Sequence, residues 1–369
     1  MTAPQLEIQA IALVTAVACA MPGDFLVLRR MAMLSDAISH SILLGIVIAF
    51  FATRDLTSPW LVFAAAVTGV ATVSLVELLQ RTGRVREDAA IGLVFPALFS
   101  VGVILISRHA AGVHLDTDAV LMGELAFAPF DRFVVAGRDV GPRALWMMGG
   151  ILVLNGLLTA VFHKELKLAA FDAGLAAALG FAPAAVHYGL MSAVSLTAVG
   201  AFDAVGAILV VALMIGPPAA AHLLTDRLSA MIGLSALLGA VAAVAGYWVA
   251  HALDASLAGC MAVMIGALFA LALLLAPERG LLVAARRRRR QRWDFSLTML
   301  AIHLAQHEGQ PDEHVECLPD HLSDHLRWAP AFAARVVDLA RRRDLVGERA
   351  GLLALTQAGR DLARAALVR

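Results

Sequence analysis

The chain has 369 residues, of which 60% are hydrophobic and 16% are charged, and its formal net charge is zero with neutral histidines. Soluble globular domains carry about 25% charged residues, so this composition excludes a chain whose surface lies mostly in water. Apolar runs of about 18 to 25 residues recur through the first three-quarters of the chain, and each is long enough to cross the roughly 30 Å hydrocarbon layer as a helix. The sequence therefore predicts an all-α integral membrane protein, a polytopic helix bundle.

The apolar runs divide into nine predicted membrane helices. We expect the first to be retained as a span, because no basic segment precedes it and no small-residue cleavage site follows it. The stretch 115–135 is too polar for a span, and we expect a half-inserted or surface segment there. The nine predicted spans are 8–28, 34–53, 60–80, 88–106, 144–163, 184–200, 204–224, 228–252 and 255–277.

The lysine and arginine residues assign an orientation to these spans. With the N-terminus outside, 15 of them lie beside the inward helix ends or the segments that follow, and five lie in the outward loops. An excess of basic residues marks the cytoplasmic side of a membrane protein. We therefore expect the C-terminal segment to lie in the cytoplasm.

Charge density changes at about residue 285. The chain has 14 basic and 18 acidic residues up to that point, and 15 basic and 11 acidic residues in the much shorter remainder. Five consecutive arginines at 286–290 introduce the change. The sequence predicts a membrane domain over 1–285, a basic stop-transfer linker over 286–292 and a soluble domain over 293–369.

The second predicted span contains Asp36 and His40, which are one helical turn apart and share a face. An ionisable side chain in a membrane helix costs about 2.5 to 3.5 kcal/mol, and such residues usually face a pore or a partner. A carboxylate and an imidazole suit Mn(II), Fe(II) or Zn(II) better than Cu(I). The spacing alone leaves two interpretations open, a metal site and a structural pair that hydrogen-bonds a neighbouring helix.

The segment around this pair, "LRRMAMLSDAISHSILLG", closely resembles the signature of the membrane subunits of bacterial ABC importers for manganese, zinc and iron. Two later segments are similar to the same family in the same order: "HKELKLAAFDAGLAAALGF" at 163–181 and "GAFDAVGAILVVALMIGPPAAAHLLTDRL" at 200–228. The resemblance extends over 1–285. One departure is Leu44, where many relatives have proline.

The resemblance implies roles for particular residues. Asp36 and His40 would be ligands in the translocation pathway, and 163–181 would be the cytoplasmic segment that couples the permease to its ATPase. The alternative for that segment is an ordinary solvated loop helix. The residues that match the coupling motif are Glu165, Phe171, Asp172, Ala176 and Gly180.

Other polar residues lie within or beside the spans. Asp203 and His222 flank the Gly- and Pro-containing helix, and each is either a pathway residue or a helix-end residue at the membrane interface. Glu77 and Asp254 lie near predicted helix ends, where we expect contact with water.

The C-terminal segment ends in a glycine-centred turn followed by "LTQAGRDLA". This part resembles the wing and closing helix of metal-dependent repressors of the diphtheria-toxin-repressor type, which implies a small winged-helix-like domain. The 15 basic and 11 acidic residues of 286–369 give this part of the chain little net charge. We therefore expect a regulatory or partner-docking role and do not expect nucleic acid as a partner.

Histidines are concentrated in the same segment. His303 and His307 have the i, i+4 spacing that lets two imidazoles share a metal ion, and so do His321 and His325. The spacing alone does not supply a complete set of ligands for a metal ion. A cytoplasmic metal sensor and solvated surface histidines both remain open.

The sequence as a whole favours a permease subunit of an ATP-driven importer of divalent manganese, zinc or iron, in the bacterial inner membrane. It would be a transport subunit and not an enzyme, with the metal ion as cargo and no covalently bound cofactor. Its expected partners are a cytoplasmic ABC ATPase, an extracytoplasmic metal-binding protein, a second permease subunit and membrane lipid.

Two alternatives remain. One is a metal transporter driven by an ion gradient, which would not need the coupling segment. The other is a membrane-tethered, metal-responsive regulator that acts through the C-terminal domain.

Overall fold

The computed structural model describes residues 2–55, 58–109, 125–135, 138–318, 321–349 and 351–367. The chain divides into two compact units, Met1–Gly280 and Leu281–Arg369. The first unit contains the membrane helices and the second contains the histidine-rich segment.

Within the described residues, nine helices are long and apolar enough to cross a membrane, which confirms the predicted number of spans. The first five are α1 (Ala3–Leu28), α2 (Met33–Thr53), α3 (Pro59–Arg81), α4 (Glu87–His109) and α5 (Arg143–Val161). Two short helices follow, α6 (His163–Phe171) and α7 (Ala173–Ala178). The remaining four spans are α8 (Pro183–Val205), α9 (Ala207–Leu224), α10 (Leu228–Leu253) and α11 (Leu257–Leu275).

Local sequence sets where several of these helices begin. Pro59 and Pro183 open α3 and α8, at positions where a helix needs no backbone N–H donor. Ser58 and Ser256 precede α3 and α11, and their hydroxyls accept hydrogen bonds from the backbone N–H groups of Trp60 and Gly259. The helix starts are therefore encoded locally, independently of the bilayer.

The segment between α4 and α5 contains no membrane span among its described residues. A short 3₁₀ helix, Ala128–Phe130, precedes an antiparallel hairpin of β1 (Arg132–Val135) and β2 (Arg138–Pro142). Arg132 fastens the hairpin to the start of α1, because its guanidinium donates to the carboxylates of Glu7, at 2.8 Å, and Asp139. Residues 115–124 of the predicted surface segment lie outside the described residues.

Three helices form the centre of the bundle. In the most apolar 18-residue stretch of α1, α2 and α8, 67% of the residues are buried, compared with 17% to 22% in α4, α5 and α11. α2 packs against α3, α4 and α8, and α1 packs against α5, α8, α9 and α10. The peripheral helices expose leucine, valine and phenylalanine side chains, as surfaces in contact with lipid do.

Glycines allow helix backbones to approach closely at three crossings. A Cβ at Gly23 would lie 2.0 Å from the carbonyl oxygen of Met214, and one at Gly45 would lie 2.4 Å from that of Ala64. A Cβ at Gly246 would lie 2.5 Å from Cα of Met261. These contacts join α1 to α9, α2 to α3 and α10 to α11, so a side chain at any of them would separate two backbones.

The second unit begins with α12 (Leu281–His307) and continues with the one-turn helices α13 (Glu313–Glu316) and α14 (Leu322–His325). After α15 (Pro330–Arg342), β3 (Val346–Arg349) and β4 (Leu352–Leu355) form an antiparallel hairpin, and α16 (Gln357–Leu367) closes the described chain. Its core includes Leu300, Leu304, Val336 and Leu353.

The chain divides after Gly280, close to the predicted boundary at residue 285. Residues 286–292, predicted as a linker, lie inside α12, because arginine is a good helix former and this stretch contains no glycine or proline. The β3–β4 hairpin lies where the repressor resemblance predicts a wing. The winged-helix assignment stays a prediction.

The crossing at Gly246 generates a test of this packing. We expect Gly246→Ala to destabilise the bundle by about 1 to 3 kcal/mol, because its methyl group meets the backbone of α11 and forces the two helices apart. Purified protein in detergent would show a lower midpoint of thermal aggregation. Gly233→Ala is the matched control on the same helix, because a Cβ there meets no atom within 4 Å. Equal midpoints for the two variants would contradict this account.

Candidate functional site

Asp36 and His40 lie on one face of α2, as their spacing predicts. Asp36 is in the first turn of the helix, and its Oδ1 lies 3.5 Å from Nε2 of His40. The His40 side chain is 32% exposed and that of Asp36 is 38% exposed. The pair is therefore close to the start of α2 and is neither sealed in the core nor fully open.

Aromatic side chains of α4 flank the imidazole. The ring centroid of His40 lies 5.8 Å from that of Phe95 and 6.2 Å from that of Phe99. In the part of the chain that the structure describes, the polar contact of each member of the pair is with the other member. The interpretation as a structural pair requires a hydrogen bond to a neighbouring helix, and these contacts supply none within the described residues.

The hydroxyl groups around the pair are already bonded within the protein. Ser39 donates to the backbone carbonyl of Ser35 at 2.8 Å, and Ser41 donates to that of Ile38 at 3.1 Å. Thr72 of α3 donates to Ser41 Oγ at 2.7 Å. These hydroxyls are thus held by hydrogen bonds within the protein, whereas Asp36 and His40 contact each other.

Further ionisable groups lie between helices. Asp24 of α1 is fully buried, and its Oδ2 accepts a hydrogen bond of 2.8 Å from Ser235 of α10. Glu77 accepts one of 2.9 Å from the Tyr188 hydroxyl, and it also contacts His187. Glu77, which was expected to contact water, keeps a side chain that is 19% exposed and is also held by α8.

The sequence carries only a weak signal for these buried groups. Asp24 and Glu77 are single acidic residues near the ends of apolar runs, where an acid in water is the ordinary case. Their partners are more than a hundred positions away in the chain. Only the folded arrangement brings them together.

Asp203 and His222 lie at helix ends. Asp203 is near the end of α8 and is exposed, whereas His222 is in the last turn of α9. Arg279 donates to the backbone carbonyl of His222 at 3.1 Å, lies 3.2 Å from its Nε2, and pairs with Asp226. His222 therefore belongs to a polar cluster at the ends of α9 and α11, and a pathway role for either residue stays a prediction.

The predicted coupling segment folds as α6, α7 and the turn that follows. Asp172 ends α6 and caps α7, because its Oδ1 accepts a hydrogen bond of 2.8 Å from the backbone N–H of Leu175. Ala176 is buried, Glu165 is half-buried, and Gly180 adopts a φ of 86°, which favours glycine.

One face of this segment is apolar and exposed. Phe171 is 63% exposed and Leu179 is 61% exposed, with Leu175 between them at 47%. The opposite face anchors the segment, since Leu166 and Ala169 are buried and α6 packs against α1, α5 and α8. The arrangement presents large hydrophobic side chains from a fixed base, as docking surfaces do.

The structure also brings most of the predicted tail histidines together. Ligand atoms of His303, His307, Glu316 and His325 all lie within 4.8 Å of one another. Glu316, which the spacing did not indicate, joins this group, whereas His321 contacts the other oxygen of Glu316 at 3.4 Å. Burial lowers the pKa of His303, so its imidazole is neutral at neutral pH.

Comparisons with known proteins agree with this arrangement. Residues 6–276 match the ABC 3 transport family. The chain is 50% identical over 362 residues to the zinc transport system membrane protein TroD of Treponema pallidum (strain Nichols), and the match covers 98% of each chain. It is 52% identical over 266 residues to the manganese transport system membrane protein MntD of Bacillus subtilis (strain 168), covering 72% of this chain and 90% of that one.

A solved structure has the same fold. The chain is similar to PsaBC from Streptococcus pneumoniae in complex with Fab, with a TM-score of 0.64, 27% identity, and coverage of 76% of this chain and 94% of that chain. The family match and the close relatives both extend over most of the nine membrane helices. The chain therefore belongs to the ABC 3 transport family.

Proposed function

We propose that this chain is the membrane-spanning permease subunit of an ATP-driven importer for a divalent transition-metal ion, manganese, zinc or iron. The observation that carries the proposal is the 50% identity to a zinc transport membrane protein over 98% of both chains. The sequence contains no G-x-x-x-x-G-K-[ST] motif, so the phosphates of ATP would bind another subunit.

Asp36 and His40 are the proposed ligands of the transported ion. Two ligand atoms that each lie about 2.1 Å from a metal ion, at a tetrahedral angle, are about 3.4 Å apart. The observed separation of 3.5 Å between Asp36 Oδ1 and His40 Nε2 matches this geometry. This separation supports the proposal that the two side chains bind one ion.

One carboxylate and one imidazole leave a divalent ion short of ligands. Zinc takes four ligands, and manganese and iron take more. A second permease subunit or water would supply the rest, and an incomplete set lets the ion leave as well as enter. We therefore propose a pair of permease subunits, together with an extracytoplasmic metal-binding protein that delivers the ion.

We propose that the ATPase binds the exposed face formed by Phe171, Leu175 and Leu179. Its apolar side chains would enter a groove of the partner, and the buried face of α6 would transmit the movement to the bundle. The positive-inside rule favours the same placement, with this segment and the C-terminal unit both in the cytoplasm.

The C-terminal unit is proposed to be a winged-helix-like regulatory domain. Its helix, hairpin and closing helix follow in the order that the repressor resemblance implies. The match to the family ends at residue 276, whereas the match to TroD continues through this unit. The unit is thus an addition to the family's common permease.

The pathway assignment predicts a specific loss of transport. Asp36→Asn and His40→Gln keep the size and polarity of each side chain but remove the carboxylate or the imidazole. We expect metal uptake by cells carrying the complete transporter to fall to the level of cells without it, while the amount of inserted protein stays the same.

Matched controls for these variants lie at the exposed end of α10. Asp254→Asn and His251→Gln make the same chemical changes outside the proposed pathway, and uptake should stay near normal. Normal uptake in Asp36→Asn and His40→Gln would refute the ligand assignment.

The coupling assignment predicts a loss of ATPase binding. Phe171→Ala should weaken co-purification of the ATPase and lower transport-linked hydrolysis by about tenfold or more, because an aromatic anchor of an interface contributes about 2 kcal/mol or more. Phe63→Ala is the matched control, since Phe63 is 61% exposed on the membrane helix α3. If both variants retained the ATPase equally, the segment would be an ordinary loop helix.

A further inference from the structure

Three imidazoles and one carboxylate converge in the C-terminal unit. The ring centroid of His303 lies 4.9 Å from that of His307 and 5.0 Å from that of His325, and the last two are 5.8 Å apart. Glu316 Oε2 lies 3.1 Å from Nδ1 of His325 and 3.9 Å from Nε2 of His303. The ligand atoms of the four side chains all lie within 4.8 Å of one another.

These residues come from three separate elements. His303 and His307 occupy the last turns of α12, Glu316 ends α13 and His325 ends α14. The position of Glu316 is fixed by its neighbour Cys317, which is buried in the core of the unit and accepts a backbone hydrogen bond of 2.9 Å from Leu353. The convergence therefore depends on the folded core and not on local spacing.

One carboxylate oxygen of Glu316, Oε2, is buried. Among the described residues it makes no contact of hydrogen-bond geometry, although Nδ1 of His325 lies 3.1 Å from it. A buried carboxylate oxygen without a donor is costly unless a cation or a proton occupies the space beside it. Solvated surface histidines do not account for this, because His303 is 4% exposed and the Glu316 side chain is 16% exposed.

Neighbouring groups orient two of the four side chains. Nδ1 of His307 lies 2.8 Å from Oδ2 of Asp312, a hydrogen bond that holds the ring and leaves Nε2 free to bind a metal ion. Nε2 of His321 lies 3.4 Å from the other oxygen of Glu316. Metal-binding histidines usually have such a carboxylate partner on the second ring nitrogen.

We propose that His303, His307, Glu316 and His325 form a binding site for one divalent transition-metal ion of the zinc type. Three nitrogen ligands and one oxygen ligand suit the four-coordinate geometry of Zn(II), whereas the oxygen-rich sets preferred by magnesium and calcium are absent from these four residues. The site is separate in sequence and in structural unit from Asp36 and His40.

A bound ion would join the end of α12 to the segment 313–325, whose described residues form two one-turn helices. Occupancy would therefore order this segment, and the unit would have one conformation with metal and a looser one without it. The proposal concerns binding and does not depend on the transport function.

The test uses the purified full-length chain in detergent, with Co(II) as a spectroscopic probe for a Zn(II) site. We expect the wild-type chain to develop the strong visible absorption of four-coordinate Co(II), and Zn(II) to abolish it. His307→Gln with His325→Gln should remove this absorption and one bound ion per chain. These two positions are chosen because their side chains, 20% and 48% exposed, tolerate substitution better than buried His303.

Two control variants test whether the Co(II) absorption comes from this site. His314→Gln changes an exposed histidine of the same segment outside the cluster, and Asp36→Asn with His40→Gln changes the proposed pathway. Both should retain the absorption. If the wild type lacks it, if the His307 and His325 double variant keeps it, or if the pathway variant loses it, the proposal is overturned.

The rate of amide hydrogen exchange gives a second measurement that does not depend on the Co(II) absorption. Zn(II) should slow amide exchange across 313–325 by about tenfold or more in the wild type and in His314→Gln, because metal binding opposes local opening. It should leave exchange unchanged in the double variant. Equal protection by Zn(II) in the wild type and in the double variant would contradict the site.

Discussion

Close contact between helix backbones is the constraint on which the membrane unit depends. Lipid gives apolar helices no hydrophobic reason to associate, so packing and interhelical hydrogen bonds must hold them. Gly23, Gly45 and Gly246 let three pairs of helices approach until no room for a Cβ remains. Gly45 is one helical turn beyond the His40 region of α2, so the contact with α3 also fixes where the face of Asp36 and His40 points.

The polar groups of the helix bundle divide into two kinds by their partners. Asn155 donates to Thr197 at 2.8 Å and to the carbonyl of Ala18 at 3.1 Å, joining α5 to α8 and α1. Asp24 and Glu77 likewise bond to other helices. Asp36 and His40 contact each other among the described residues and supply no such bond between helices.

The sequence predicts the parts of this protein that the bilayer or the helix period dictates. Span lengths follow from membrane thickness, and the shared face of Asp36 and His40 follows from 3.6 residues per turn. The resemblance implies a coupling segment, but it did not predict the exposed apolar face of Phe171, Leu175 and Leu179, because the exposure of these side chains depends on how α6 packs. The charge run at 286–292 indicates a boundary, and the chain divides close to it, after Gly280, although the run itself is helical.

Groups from distant positions could not be predicted in the same way. Glu316 is thirteen residues beyond His303, and a fold with different core packing at Cys317 would place it elsewhere. Glu77 lies near a helix end in sequence but meets Tyr188 and His187 in the structure. Each case needs the tertiary arrangement, which a pattern of hydrophobic residues does not contain.

The central claim is that Asp36 and His40 bind the transported ion directly. X-ray absorption spectroscopy of Zn(II) held in the complete transporter measures the ligands themselves, and His307→Gln with His325→Gln removes the tail site from the signal. We predict an imidazole contribution to the zinc shell that disappears in His40→Gln. A zinc spectrum that is identical with and without His40 would contradict the account.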